Sequence, residues 1–127
     1  MKKSGKKIAL IIALVIALIF AALFIMYYPV IFQRGNPIPY LKAASKLGDE
    51  ISFVEVDVDD EYDKLYISKK DAQDEFLSFV EDSTGAEFLE QAGSGFIFKD
   101  TDENFIVENE IYFSRYYVWS VPLNYLK

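Results

Sequence analysis

Residues 8–28 read IALIIALVIALIFAALFIMYY, with no charge, amide or proline among them. At 1.5 Å of rise per residue, roughly 20 apolar residues cross the ~30 Å hydrocarbon core of a bilayer. The stretch therefore predicts a transmembrane helix over residues 8–28. Its flanks predict a direction. Lys2, Lys3, Lys6 and Lys7 precede it, whereas Arg34 is the only charge close behind it. Basic flanks stay cytoplasmic, so a cytoplasmic lead (residues 1–7) and an extracytoplasmic C-terminal part are expected, in a single-pass protein of the cell membrane. A cleaved signal peptide would carry an apolar core of ~7–15 residues and a small-x-small cleavage site. Here the positions three before Ala21 and Ala22 are Leu18 and Ile19, so the segment reads as an uncleaved signal-anchor. Tyr27 and Tyr28 suit the outer headgroup level, and Pro29 is expected to end the helix. Ala9, Ala13, Ala17 and Ala21 recur four apart, a spacing that can pair helices in membranes and that ordinary anchors also show.

Outward from the anchor, residues 29–39 form a turn-rich connector (QRGNPIP over 33–39) that Gly35, Pro37 and Pro39 keep extended and fairly stiff. Residues 40–127 then suffice for one small domain. All 20 acidic residues of the chain lie after the anchor with nine of its 13 basic ones, a net of −11 beyond the membrane. Such a surface repels phosphate backbones, which argues against nucleic-acid binding. The chain has no Cys and no His. Thiol nucleophiles, thiolate zinc sites, disulfide frameworks and imidazole bases are thereby excluded.

The domain reads as α+β, an antiparallel sheet of about six strands with one main amphipathic helix. Residues 40–47 form a short helix stopped by Gly48. Residues 51–58 (ISFVEVDV) alternate, with Val54, Val56 and Val58 on the buried parity. Residues 59–63 (DDEYD) turn the chain and 64–67 return it. Ser68 and Asp71 resemble a capping box, after which Ala72, Phe76, Phe79 and Val80 recur at helical spacing up to Gly85. Strands follow over 87–91 and 96–99, joined around Gly93-Ser94-Gly95, then after DTDEN (100–104) over 105–113 and 116–121. The last turn falls at either Asn109-Glu110 or Ser114-Arg115.

Candidate chemistry is sparse. The acidic run Glu55, Asp57, Asp59, Asp60, Glu61, Asp63 invites a calcium loop. From Asp57, however, the sixth position is Tyr62 and the twelfth Ser68, where that loop needs Gly and Glu; from Asp100 they are Phe105 and Ile111. Both runs read as solvated turns, and no metal or other cofactor is expected. Gly93-Ser94-Gly95 precedes a strand, whereas phosphate-cradling loops open a helix, so it reads as a hairpin turn. Two carboxylates can suffice for hydrolysis, but no pair stands out. The aromatic C-terminus is the remaining candidate. On a strand, Tyr117 and Trp119 share one face and Tyr116 and Val118 the other, so Tyr112, Tyr116 and Trp119 are the candidate partner contacts. A strand covered on both faces would absorb the same residues.

GNPIPY (35–40), EQAGSGFIF (90–98) and YYVWSVP (116–122) together resemble small single-pass proteins of Gram-positive bacteria, built from a basic start, an anchor and an extracytoplasmic α+β domain. The resemblance implies a topology and transfers no catalytic or binding residue. The expectation is a non-enzymatic accessory or interaction module of the cell envelope, with the lipid bilayer and another membrane or envelope protein as partners. The alternatives are an immunity-type protein that binds a basic secreted toxin and a carboxylate-dependent hydrolase.

Overall fold

The computed structural model describes residues 2–126. The fold is α+β, and it divides into two compact units, residues 1–35 and 36–127.

The first unit is helix α1, Lys2–Ile31, whose 30 residues give about 45 Å of length. It is long and apolar enough to cross a membrane, and its apolar side chains from Ile8 to Tyr28 are exposed along the helix. The helix does not stop at Pro29, as expected, but runs through it. A proline there removes one N–H and crowds the carbonyl four residues earlier. Phe24, Tyr28 and Phe32 stack along one face across that position, with centroids 5.8 and 4.5 Å apart. The Phe32 N–H donates to the Tyr28 carbonyl at 2.9 Å, and Gly35, at φ +83°, bonds back to the Phe32 carbonyl. The helical reversal thus falls at a residue able to take positive φ, six positions beyond the expected stop.

The second unit opens with α2, Ile38–Ala44. Asn36 Oδ1 accepts the Ile38 N–H at 3.1 Å, and Pro39 sits in the first turn, where a missing N–H costs nothing. The helix therefore begins inside the expected connector and ends before Leu47. Six antiparallel strands follow: β1 Phe53–Glu55, β2 Asp63–Lys69, β3 Glu87–Ala92, β4 Gly95–Asp100, β5 Glu103–Tyr112 and β6 Tyr116–Pro122. They lie in the order β1-β2-β6-β5-β4-β3. Helix α3, Gln73–Thr84, carries the chain from β2 to the far edge, and a meander of hairpins brings it back.

Two expected boundaries shift, and one open choice is decided. The β1 ladder is shorter than residues 51–58, because the Val58 N–H turns back to the Val56 carbonyl at 3.0 Å and curls the chain off the sheet. Ser68 is not a helix cap. It lies in β2, fully buried, and α3 starts after Ala72 with no side-chain cap. Asp74 and Glu75 still complement the helix dipole in the first turn. The last turn falls at residues 113–115, which include the second of the two expected places, Ser114-Arg115, with Phe113 and Ser114 at φ +54° and +56°.

The sheet has a core on each face. On one, Phe76, Leu77 and Val80 of α3 pack on Tyr66, Phe96, Phe98, Phe105, Val107, Trp119 and Val121. On the other, Tyr40, Ala43 and Ala44 of α2 join Val56 over Leu65, Ile67, Tyr112 and Val118. The buried valine parity of β1 belongs to this second core. At the end of α3, Gly85 takes φ +76° and its N–H reaches the Glu81 carbonyl at 2.8 Å. Buried Thr84 donates to the Val80 carbonyl at 2.6 Å and accepts the Ala86 N–H at 3.1 Å. Glu81 Oε2 accepts the Phe88 N–H and so ties the helix to β3, whose register slips at a bulge between Phe88 and Glu90.

Candidate functional site

The aromatic residues that the sequence offered as partner contacts are distributed between the two cores. Trp119 is fully buried, with Phe76 and Phe96 at centroid distances of 4.6 and 5.1 Å. Its Nε1–H donates to Ser68 Oγ at 2.8 Å, and that hydroxyl donates in turn to the Lys69 carbonyl at 3.0 Å. Tyr112 is equally buried on the other face, its ring 5.3 Å from that of Tyr40. Tyr116 is half-buried against the same cluster. Tyr112 and Trp119 are therefore structural side chains rather than a displayed surface. Strand β6 is central and covered on both faces, which is why its aromatics alternate without leaving one side wet.

What the domain does display is the half of the sheet that α2 leaves bare. The residues of α2 and Val56 cover β2 and β6. Register carries that face outward: Glu110 pairs with the buried Val118, so Glu108, Ile106 and Asn104 follow on the same side of β5. Ile97 lies opposite Ile106, and Glu90 lies opposite Ile97. Lys99 and Glu87 continue the face towards the edge. Ile106 is 52% exposed. Gly95 lies beside it, and a Cβ on Gly95 would come within 3.1 Å of Ile106 Cγ2, so the isoleucine rests over the glycine. The surface has an isoleucine pair at its centre, with Glu87, Glu90, Glu108 and Glu110 around it and Lys99 as the basic residue among them.

The opposite face carries a notch. The β3–β4 hairpin turns at Gly93, φ +63°, while β5 runs on beyond Asn109 paired with β6 alone. The step in the sheet, closed by Gln73 of α3, leaves a depression of about 580 Å3 lined by Gln73, Gln91, Ser94, Asn109, Ile111 and Tyr117, with Gly93 and Glu110 at its margin. Its amides sit far apart in sequence, so only the fold brings them together. A smaller depression of about 60 Å3 sets Glu55 and Asp57 beside Lys42 and Lys46, and Lys64 Nζ approaches Glu55 Oε1 at 3.4 Å. Its carboxylates thus face cations across too little space for a sugar ring.

Two phenols titrate above their ordinary range. Burial, followed by the charge of Glu55, pushes Tyr66 up to about 12. Tyr125 is raised by desolvation, then by the charge of Glu103 and a hydrogen bond to it, with a further contribution from Asp100. The acidic run ends in an Asx turn, with Asp60 Oδ1 accepting the N–H groups of Tyr62 and Asp63 at 2.9 Å each. Among the described residues, no group of three or more carboxylates is arranged to hold a metal ion. Comparison with models of known protein families, with curated proteins and with solved structures finds no match.

Proposed function

We propose that this chain is a single-pass, signal-anchored envelope protein whose acidic domain lies outside the cytoplasmic membrane and works by binding a basic protein rather than by catalysis. The exposed half-sheet carries the reading. Ile97 and Ile106 offer an apolar centre, and the surrounding glutamates supply a negative rim suited to a lysine- or arginine-rich surface. The orientation rests on the four lysines ahead of the apolar run 8–28, against Arg34 alone close behind it. Two kinds of basic partner fit this surface: a subunit of an envelope complex, for which the domain is an accessory, and a secreted toxin, for which it is an immunity protein.

The test places a photo-reactive amino acid at position 106 of the full-length protein in its native membrane, with a control at the exposed Ser78 of α3. The expected result is a cross-link at 106 to a protein with a basic extracytoplasmic surface. It should be absent at 78, weaken with salt, and disappear when Glu108 and Glu110 are both changed to Lys. Equal labelling from both positions, or a cross-link indifferent to charge reversal, refutes the assignment. An impermeant maleimide applied to Ser78→Cys reads the topology without interference, because the chain has no cysteine of its own. Labelling only after lysis refutes an external domain.

A further inference from the structure

We infer that the notch between the β3–β4 hairpin, β5 and the start of α3 is a binding site for a neutral carbohydrate chain. It is an open, shallow depression of about 580 Å3, within the roughly 300–1,000 Å3 of small-molecule sites, and it suits a chain lying along a surface. Three side-chain amides, Gln73, Gln91 and Asn109, converge there with the Ser94 hydroxyl. An amide presents a donor and an acceptor side by side, which is what a sugar hydroxyl, itself both donor and acceptor, requires. Tyr117 and Ile111 add an apolar surface for the C–H face of a pyranose ring. In a domain with 20 acidic residues, the lining includes no lysine or arginine, and its one acidic residue, Glu110, belongs by register to the opposite face of the sheet. That composition disfavours phosphate or sulfate, and it offers a cation no charged ligand.

The site is also held in place. The Gln91 amide nitrogen donates to the Gly93 carbonyl at 2.9 Å, and the Asn109 backbone N–H donates to the Ser94 carbonyl at 2.9 Å, pinning the hairpin turn against β5. Tyr117 packs edge-on to the buried Trp119, with centroids 5.8 Å apart. A hairpin turn and an aromatic ring held before the ligand arrives spare it the cost of ordering them. The notch lies on the α3 face of the sheet, opposite the acidic half-sheet, so this inference stands or falls separately from the protein-binding reading.

Full-length protein in phosphatidylcholine nanodiscs, titrated with β-linked oligomers of N-acetylglucosamine and of glucose, tests it by saturation-transfer difference NMR. The expected result is transfer to ring C–H protons from at least one oligomer, with a Kd on the order of 1 mM or tighter. The double variant Gln73→Ala/Gln91→Ala should weaken binding about tenfold through two lost hydrogen bonds. Ser94→Trp, which fills the notch from an exposed turn, should abolish it, whereas Ser78→Lys on the exposed side of α3 should bind as the parent does. Near-UV circular dichroism of Trp119 verifies that each variant is folded. Absence of transfer at ~10 mM from every oligomer overturns the inference. So does binding unchanged in both notch variants, or binding of a neutral Asn/Ser peptide that the sugars do not displace.

Discussion

The hydrogen bond between Trp119 and Ser68 joins residues 51 positions apart in the middle of the larger core, and Ser68→Ala isolates its contribution. Both side chains are fully buried, so the substitution removes the indole N–H's acceptor at a place that solvent does not reach. An unsatisfied buried donor costs about 1–3 kcal/mol. The methyl group fills most of the serine's volume, so the cavity contribution is small by comparison. For a domain of this size, 1 kcal/mol moves the melting temperature by roughly 4–8 °C, which predicts a drop of about 5–20 °C. The assay is thermal unfolding of the full-length protein in micelles, followed by near-UV circular dichroism, to which the chain's nine tyrosines contribute in every background. In a Trp119→Phe background the donor is already gone, and Ser68→Ala should then cost at least 1 kcal/mol less. A melting temperature shifted by no more than about 1 °C, or an equal cost in both backgrounds, would refute the reasoning.

The raised titration of Tyr66 predicts an alkaline weakness. The phenol stays protonated in the folded state up to about pH 12, whereas in the unfolded chain it ionises near 10. Its contribution is therefore intact below pH 10 and is lost as pH rises from 10 to 12. Tyr66→Phe should flatten the fall in stability across that window relative to the parent, as read by denaturant titration at each pH. Gly85→Ala forces a side chain into φ +76° at the end of α3 and should cost about 1–2 kcal/mol, measurable as a lower denaturant midpoint at unchanged slope.

How much of this was written locally is clearest in α3 and β6. Phe76, Val80 and Gly85 declare a helix and its stop within a dozen residues, because periodicity and a left-handed glycine are properties of the segment itself. Ser68 shows the opposite. Its spacing to Asp71 suits a cap, but its hydroxyl is taken by an indole from the other end of the domain, and nothing near Ser68 announces that. Tyr112 and Trp119 looked available because a strand alone does not reveal what covers it; α2 and α3, packed on opposite faces, decide the matter. The last turn was ambiguous for a related reason. Phe113 and Ser114 adopt positive φ without a glycine, so no turn residue marks the place. The half-sheet and the notch were illegible because each depends on where a neighbouring element stops: α2 after Ala44, and the β3–β4 hairpin at Gly93.

The bulge in β3 has a bearing on self-association. Strand β3 is the outermost strand of the sheet, and a regular outer strand offers its unpaired amides and carbonyls as a template for a second chain. The register slip between Phe88 and Glu90 interrupts that template, and Glu87 and Glu90 would bring like charges together if two copies met edge to edge. The other border is only three residues long. With α1 anchored as proposed, copies confined to a membrane plane would meet far more often than copies free in solution. A border that is both broken and charged lets such neighbours collide without their sheets fusing.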